Sequence, residues 1–205
     1  MTRYRKLVER YAGALDLSSP ALVRSFDTAI ERSLAYAPHL AGGRVLDLGS
    51  GVGLPGIPCA AARPDLEFVL CEVRKRRAAF LERAVSELGL ANARVFAGDV
   101  RKYGGEPFDT VTSQAVGSLL ETYELCRASL APEWLILSRK GERAPADADQ
   151  FRAAVPGASV QSLELGGGSF LLAARGSGPA RGRGSGPARG GESDPALAHR
   201  ESEAG

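Results

Sequence analysis

The residues of this chain best suited to bind a ligand lie in one glycine-rich segment, Arg44–Gly56, which reads RVLDLGSGVGLPG. A short apolar run leads to an acidic residue, Asp47, and Gly49, Gly51 and Gly53 follow at alternate positions. Glycine permits positive φ angles and lets a ligand approach the main chain closely. The segment therefore predicts a strand, a tight turn and a helix whose first N–H groups are available to a ligand.

The acid inside this segment distinguishes two kinds of ligand. Gly51–Gly56 matches the dinucleotide fingerprint G-x-G-x-x-G, but a single match of that kind is weakly specific. A carboxylate beside the glycines repels a pyrophosphate and suits a ligand with a cationic, amino-acid-like end. Pro55 and Pro58 also fall where the helix would begin. We therefore expect S-adenosylmethionine rather than a dinucleotide, with a tight turn that binds nothing as the simplest alternative.

Composition indicates a single globular domain with no targeting segment. The 205 residues are 44% hydrophobic and carry a net charge of +2. No stretch approaches the roughly 20 apolar residues that a membrane span requires. Cys59, Cys71 and Cys126 are widely spaced and odd in number, which is typical of reduced, buried cysteines in a cytoplasmic protein. We expect no metal site, no membrane contact and a monomer.

Two helices are expected before the glycine segment. Apolar residues recur at helical spacing from Tyr4 to Leu15, and again from Leu22 to Leu34. Ser19 and Pro20 are suited to the cap and first turn of the second helix.

Strands and helices then alternate, which predicts a parallel sheet covered on both faces. The expected strands are Arg44–Leu48, Glu67–Cys71, Arg94–Ala97, Phe108–Thr112 and Trp134–Ser138, and the expected helices are Pro55–Arg63, Arg74–Leu88 and Ser118–Leu130.

A different pattern ends the domain. Ala158–Leu165 and Ser169–Ala174, joined by three glycines, predict an antiparallel hairpin. The predicted fold class is thus α/β: a Rossmann-like, mostly parallel seven-stranded sheet with a C-terminal hairpin, preceded by two N-terminal helices. A hairpin in this place is typical of class I methyltransferases and not of dehydrogenases.

The chain divides into N-terminal helices (1–40), a ligand-binding domain (41–174) and a tail (175–205). RGSGPARG occurs twice in tandem at the start of the tail. A composition of Gly, Pro, Ser and Arg predicts disorder, because it buries too little apolar surface to offset the entropy of ordering. We expect this tail to be inert, although its Arg-Gly pairs are compatible with weak RNA contact.

The segments LDLGSGVGLPGIP (Leu46–Pro58) and ARPDLEFVLCEVRKRRAAFLE (Ala62–Glu82) resemble the bacterial small-subunit ribosomal RNA guanine-N7 methyltransferase family. Ser113-Gln114-Ala115 resembles the family's Ser-Arg-Ala, and Arg139-Lys140-Gly141 resembles its Leu-Lys-Gly. The resemblance covers about Arg44 to Gly141. Gln114 stands where the family has Arg, the family's histidine before the first strand has no counterpart, and both flanks are shorter than usual.

The resemblance implies methyl transfer from S-adenosylmethionine to guanine N7 of small-subunit (16S) ribosomal RNA, with that RNA or the small subunit as partner. Asp47 would orient the glycine loop and face the amino end of the cofactor, and Glu72 would accept ribose hydroxyls unless it is a solvated surface charge. Asp99 would lie near the adenine or cap a short turn. The expected cofactor-binding residues are Asp47, Gly49, Ser50, Gly51, Gly53, Leu54, Glu72, Asp99, Val100 and Ser113, and the expected positioning residues are Gln114 and Lys140.

Methylation at N7 needs no general base, because this nitrogen already carries a lone pair; rate would come from alignment and exclusion of water.

Consecutive residues of a helix point in different directions, so about two residues of the basic run Arg74–Arg77 would reach phosphates and the others would be solvated. Further cations would complete a basic rim: Arg3, Arg5, Lys6, Arg101, Lys102, Arg139 and Lys140.

Two other functions stay open. One is a divergent methyltransferase that acts on another RNA or a small molecule. The other is a non-catalytic protein that binds RNA or the ribosome.

Overall fold

The computed structural model describes residues 1–15, 20–114 and 116–178. Its strands are β1 Arg44–Leu48, β2 Glu67–Glu72, β3 Ala93–Ala97, β4 Phe108–Gln114, β5 Leu130–Lys140, β6 Ser159–Gly166 and β7 Ser169–Ser177. Its α-helices are α1 Thr2–Leu15, α2 Pro20–Arg24, α3 Phe26–Leu34, α4 Gly56–Ala62, α5 Lys75–Leu88, α6 Leu119–Cys126 and α7 Ala144–Ala154. Short 3₁₀ helices form at Ala37–His39, Val100–Lys102 and Arg127–Ser129.

The seven strands form one sheet in the order β3-β2-β1-β4-β5-β7-β6. Strands β1 to β5 are parallel, whereas β7 runs antiparallel to β5 and β6. The predicted fold class is therefore confirmed, including the hairpin at the end. Strands β1 and β4 are neighbours, but the chain leaves them toward opposite edges of the sheet. Ligands of open α/β sheets bind beyond the carboxyl ends of the strands at such a switch point.

Alternate residues of the central strands serve two different cores. Leu46 and Leu48 of β1 pack with α6 and α7 on one face, whereas Val45 packs on the other with Tyr36 and Phe68. A third cluster joins α1, α3, α4 and α5, and it includes Tyr4 and Phe26 at the N-terminus. Because both faces are covered, the strands read as nearly continuous apolar runs, as in other parallel sheets.

The predicted second helix is wrong in one respect, because it is divided at Ser25. The Ser25 hydroxyl donates to the carbonyl of Ala21 (3.0 Å), and the residue has φ −106° and ψ 25°. A serine hydroxyl competes with the backbone ladder in this way, which ends α2 and starts α3. The predicted cap at Ser19 lies outside the described residues.

Two boundaries and one additional helix also differ from prediction. Helix α6 ends at Cys126, not at Leu130, because Leu130 already pairs with Phe108 in the sheet. Helix α7 (Ala144–Ala154) was not predicted; it buries only small residues and Phe151, so its apolar pattern is weak. Strand β7 continues to Ser177, three residues into the segment assigned to the tail. The tail from residue 179 lies outside the described residues.

The three cysteines are free and buried, as predicted. Within the described ranges, no helix is both long and apolar enough to cross a membrane. The same residues contain no group of three or more His, Cys, Asp or Glu side chains placed to hold a metal ion.

Candidate functional site

The glycine loop lies at the switch point of the sheet, between the end of β1 and the start of α4. The N–H groups of Gly49 and Ser50 both donate to the carbonyl of Cys71 on β2 (2.9 and 3.0 Å). Leu48 pairs with Cys71 on one side and with Ser113 of β4 on the other. The loop is therefore anchored at the carboxyl ends of three neighbouring strands.

Glycine occupies positions 53 and 51 of the loop for different structural reasons. Gly53 has φ 99°, and a Cβ there would lie 2.4 Å from Ile57 Cδ1 and 2.9 Å from the Tyr4 hydroxyl. Gly53 is thus required by internal packing. Gly51 has φ 58°, but a Cβ there would meet nothing closer than 3.8 Å. Main chain at Gly51 is therefore open to a ligand, which makes it the point of the loop best suited to close approach.

Asp47 lies beneath the loop and is fully buried. Its carboxylate accepts hydrogen bonds from the Gly56 N–H (3.1 Å) and the Thr112 hydroxyl (2.9 Å). Burial raises the pKa of Asp47 to about 6, partly opposed by hydrogen bonds to the carboxylate. Its carbonyl accepts the Ser50 hydroxyl (2.9 Å). These contacts orient the loop from below and place one negative charge under it.

Glu72, at the end of β2, is only 5% exposed, so the alternative of a solvated surface charge is wrong. One carboxylate oxygen accepts the N–H of Gly51 (3.0 Å), and the other accepts the N–H of Arg74 (2.9 Å). Each oxygen keeps a second lone pair for a further donor. Glu72 thus joins the loop to the start of α5 and retains capacity to accept ligand hydroxyls.

Asp99 caps the 3₁₀ helix that follows β3. Its side chain accepts the N–H of Arg101 (3.0 Å) and forms an ion pair with the Arg101 guanidinium. The hydrogen bonds from Arg101 hold the pKa of Asp99 at about 2. The capping interpretation is therefore confirmed. The next residue, Val100, is 3% exposed and belongs to the core.

The residues at the ends of β4 and β5 fall on both sides of the sheet. The Ser113 hydroxyl donates to Ser138 Oγ (2.9 Å), and the Ser113 carbonyl accepts the Tyr36 hydroxyl (3.0 Å). Gln114 is half-buried and pairs in register with Arg139. Ala115 lies outside the described residues.

Lys140 does not present an unpaired ammonium to the site. Its Nζ lies 3.1 Å from Asp147 Oδ2 on α7 and donates to the Gly117 carbonyl. Asp147 in turn accepts the N–H of Leu119 at the start of α6 (2.9 Å). Lys140 therefore fixes the connection between β4 and α6, which borders the site.

A cleft of about 510 Å³ lies beside that connection. It is bordered by Arg101 on one side and by the start of α6 on the other; the lining residues are Arg101, Val116, Gly117, Glu121, Glu124 and Leu125. Its position next to the Asp99 turn is where the predicted adenine contacts would lie. Leu54 and Ser50, also predicted to contact the cofactor, are 7% and 2% exposed and support the loop from inside.

Sequence reasoning missed one contact of the glycine loop. The hydroxyl of Tyr4, on α1, donates to the carbonyl of Val52 (2.6 Å) and is fully buried. Burial raises the pKa of Tyr4 well above its usual value, so the phenol stays protonated and donates. The helical spacing of Tyr4 indicated only a core residue, and no local signal distinguishes a tyrosine that bonds to a distant loop.

The comparisons with known proteins agree with this geometry. The sequence model of the family described as rRNA small subunit methyltransferase G matches residues 1–167. Ribosomal RNA small subunit methyltransferase G of Chromobacterium violaceum is 45% identical over 111 residues, which cover 53% of each protein. The protein of the same name from Mycolicibacterium paratuberculosis is 40% identical over 147 residues, 69% of this chain and 59% of that one. These matches span somewhat more than half the length of those relatives.

Among solved structures, a SAM dependent methyltransferase from Aquifex aeolicus superposes with a TM-score of 0.59 at 18% identity. The superposition covers 78% of this chain and 95% of that one, and it shows the class I methyltransferase fold. The family match extends over the N-terminal helices, the glycine loop and the sheet as far as the turn of the C-terminal hairpin. The chain belongs to the rRNA small subunit methyltransferase G family.

Proposed function

We propose that this protein transfers a methyl group from S-adenosylmethionine to guanine N7 of small-subunit ribosomal RNA. The observation that carries the proposal is the glycine loop of this family, held at the switch point of a class I methyltransferase sheet with Gly51 open to a ligand. The proposed substrate implies a cytoplasmic location, and a monomeric state remains a prediction.

The residues around the loop fit the proposed cofactor. Gly51 offers an open main chain, Glu72 has acceptor capacity beside it, and the buried charge of Asp47 favours a cationic amino group above the loop. The cofactor would supply an activated methyl group on a sulfonium. The chain's own task is to hold the guanine in line with that methyl group and to exclude water.

The cysteines are unsuited to covalent catalysis. Burial raises the pKa of both Cys71 and Cys126 to about 12, and it raises the pKa of Cys59 further. A thiol with such a pKa is almost entirely protonated at neutral pH, whereas the thiolate is the nucleophile. This favours direct transfer to a nitrogen lone pair over a mechanism with a cysteine adduct.

A transfer assay tests the proposal. Radiolabelled S-adenosylmethionine is incubated with the protein and with small-subunit particles, their naked RNA or an extract of small molecules. Label in the RNA that maps to a guanine N7 supports the proposal. Label found only in small molecules contradicts the proposal and indicates a divergent methyltransferase. RNA binding without any methyl transfer also contradicts it and indicates a non-catalytic RNA-binding protein.

A glycine variant tests the site itself. We expect Gly51→Asp to abolish cofactor binding, because a side chain at φ 58° would occupy the open space and set a second carboxylate beside Glu72. Gly157→Asp is the matched control, since Gly157 also has positive φ (85°) and open surroundings but lies in a distant turn. Calorimetry measures cofactor affinity and circular dichroism the fold. Cofactor binding by a folded Gly51→Asp protein would contradict the site assignment.

A further inference from the structure

Arg139 is a partly buried cation at the carboxyl end of β5. Its Nε donates to the hydroxyl of Ser169 on β7 (2.7 Å), and the side chain is half-buried. Within the described residues, no carboxylate forms an ion pair with it. The neighbouring Lys140 differs, because it is paired with Asp147.

The surroundings of Arg139 increase the cost of this charge. Burial lowers the pKa of Arg139 and so does the charge of Arg32 on α3, whereas Tyr36 opposes them. A partly desolvated cation without an acidic partner gains nothing for stability from its charge. An anion bound to the Arg139 guanidinium would offset this cost, and guanidinium groups match phosphate geometry well.

Arg139 also lies next to Gln114, one of the two expected positioning residues. The two are register partners on β5 and β4. Partners on adjacent parallel strands project to the same face and are about 4.8 Å apart. In the resembling family, Arg stands at the position of Gln114 and Leu at the position of Arg139. Arg139 therefore places a guanidinium-bearing side chain one strand away from Gln114, on the same face of the sheet.

We propose that Arg139 binds a backbone phosphate of the RNA substrate. Ser169 holds the Arg139 side chain through Nε, and the two terminal nitrogens are the donors for the phosphate. This inference rests on the proposed function, because it assigns a contact to the RNA that the enzyme would methylate.

The test compares three variants in binding to naked small-subunit RNA and to S-adenosylmethionine. We expect Arg139→Leu to weaken RNA binding about tenfold and to reduce the slope of log affinity against log salt by about one. Cofactor affinity and thermal stability should stay unchanged. The double variant Gln114→Arg/Arg139→Leu should regain most of the RNA affinity, since it returns a guanidinium to the same face one strand away. Arg127→Leu is the control, because Arg127 is exposed and lies at the opposite end of β5.

The outcomes separate this inference from the proposed function. Wild-type RNA affinity in Arg139→Leu would overturn it, and so would equal losses of RNA binding, cofactor binding and stability, which indicate a structural role. A double variant as weak as Arg139→Leu would also overturn it, because the site would then not accept a guanidinium from β4. If wild-type protein binds RNA through Arg139 but transfers no methyl group, the proposed function fails and this inference stands.

Discussion

At the scale of single residues, the candidate site depends on two carboxylates that already accept hydrogen bonds from the main chain around the glycine loop. Asp47 is fully buried and bonded to Gly56 and Thr112, and Glu72 accepts the N–H of Gly51. Because the same atoms orient the loop and set its charge, changes at either residue will affect ligand affinity through geometry as well as electrostatics. A change of pH removes the charge of Asp47 without replacing the residue, and it therefore measures the electrostatic contribution separately from the geometric one.

Cofactor affinity should therefore depend on pH through Asp47. Burial raises its pKa to about 6, so the carboxylate is ionised at pH 7 and mostly protonated at pH 5. A cationic ligand binds better above the ionised form, and the affinity should fall roughly tenfold between pH 7 and pH 5. Calorimetric titration of S-adenosylmethionine over this range measures the effect. Asp47→Asn should bind more weakly at pH 7 and lose the pH dependence; the same dependence in that variant would assign it to another group.

At the scale of elements, the first N-terminal helix contacts the glycine loop of the candidate site. Tyr4 of α1 reaches the carbonyl of Val52, and its ring lies edge-on to Phe26 of α3 with 5.0 Å between centroids. Gly53 leaves the space into which this hydroxyl fits. The loop is thus held by Asp47 from below and by α1 from the side.

Tyr4→Phe should weaken cofactor binding as well as stability. Removal of the hydroxyl leaves the buried Val52 carbonyl without its donor, at a cost of about 1–2 kcal/mol. We expect the KM for S-adenosylmethionine to rise severalfold while kcat and the KM for RNA stay constant. Tyr11→Phe is the control, because Tyr11 lies on the same helix and packs on Phe80 instead of the loop. Equal effects of the two variants on the cofactor KM would contradict the coupling.

Most elements could be predicted from sequence because their signals are local. The strands from Arg44 onward have apolar runs bounded by turns, and α5 ends at Leu88, just before Gly89, which has the left-handed conformation of a helix cap. Helix α7 escaped prediction because only a few of its residues are buried. In the site, Glu72 followed from its place after β2, whereas the Lys140–Asp147 pair and the Tyr4 contact join residues distant in sequence. Spacing alone does not specify such contacts.

At the scale of the whole molecule, the proposed RNA-binding surface must be local because the charges almost balance. Residues 1–174 contain 21 basic and 20 acidic side chains. Several cations predicted to form a basic rim are paired with acids, among them Arg5 with Glu9 and Asp27, and Arg101 with Asp99. Among the cations that form no ion pair within the described residues, Arg74, Lys75 and Arg76 lie at the start of α5, and Arg139 lies at the carboxyl end of β5.

This distribution predicts a modest salt dependence of RNA binding. About four phosphate contacts correspond to a slope of roughly −3 for log affinity against log salt. Affinity for naked small-subunit RNA should therefore fall about 10²-fold between 50 and 200 mM salt, as measured by filter binding or fluorescence anisotropy. A chain that ends at Gly178 tests the expectation that the Arg-Gly tail is inert, because this truncation removes four arginines and four acids. An unchanged slope would assign the binding to the part of the chain before residue 179, whereas a clearly smaller slope would assign part of it to the tail.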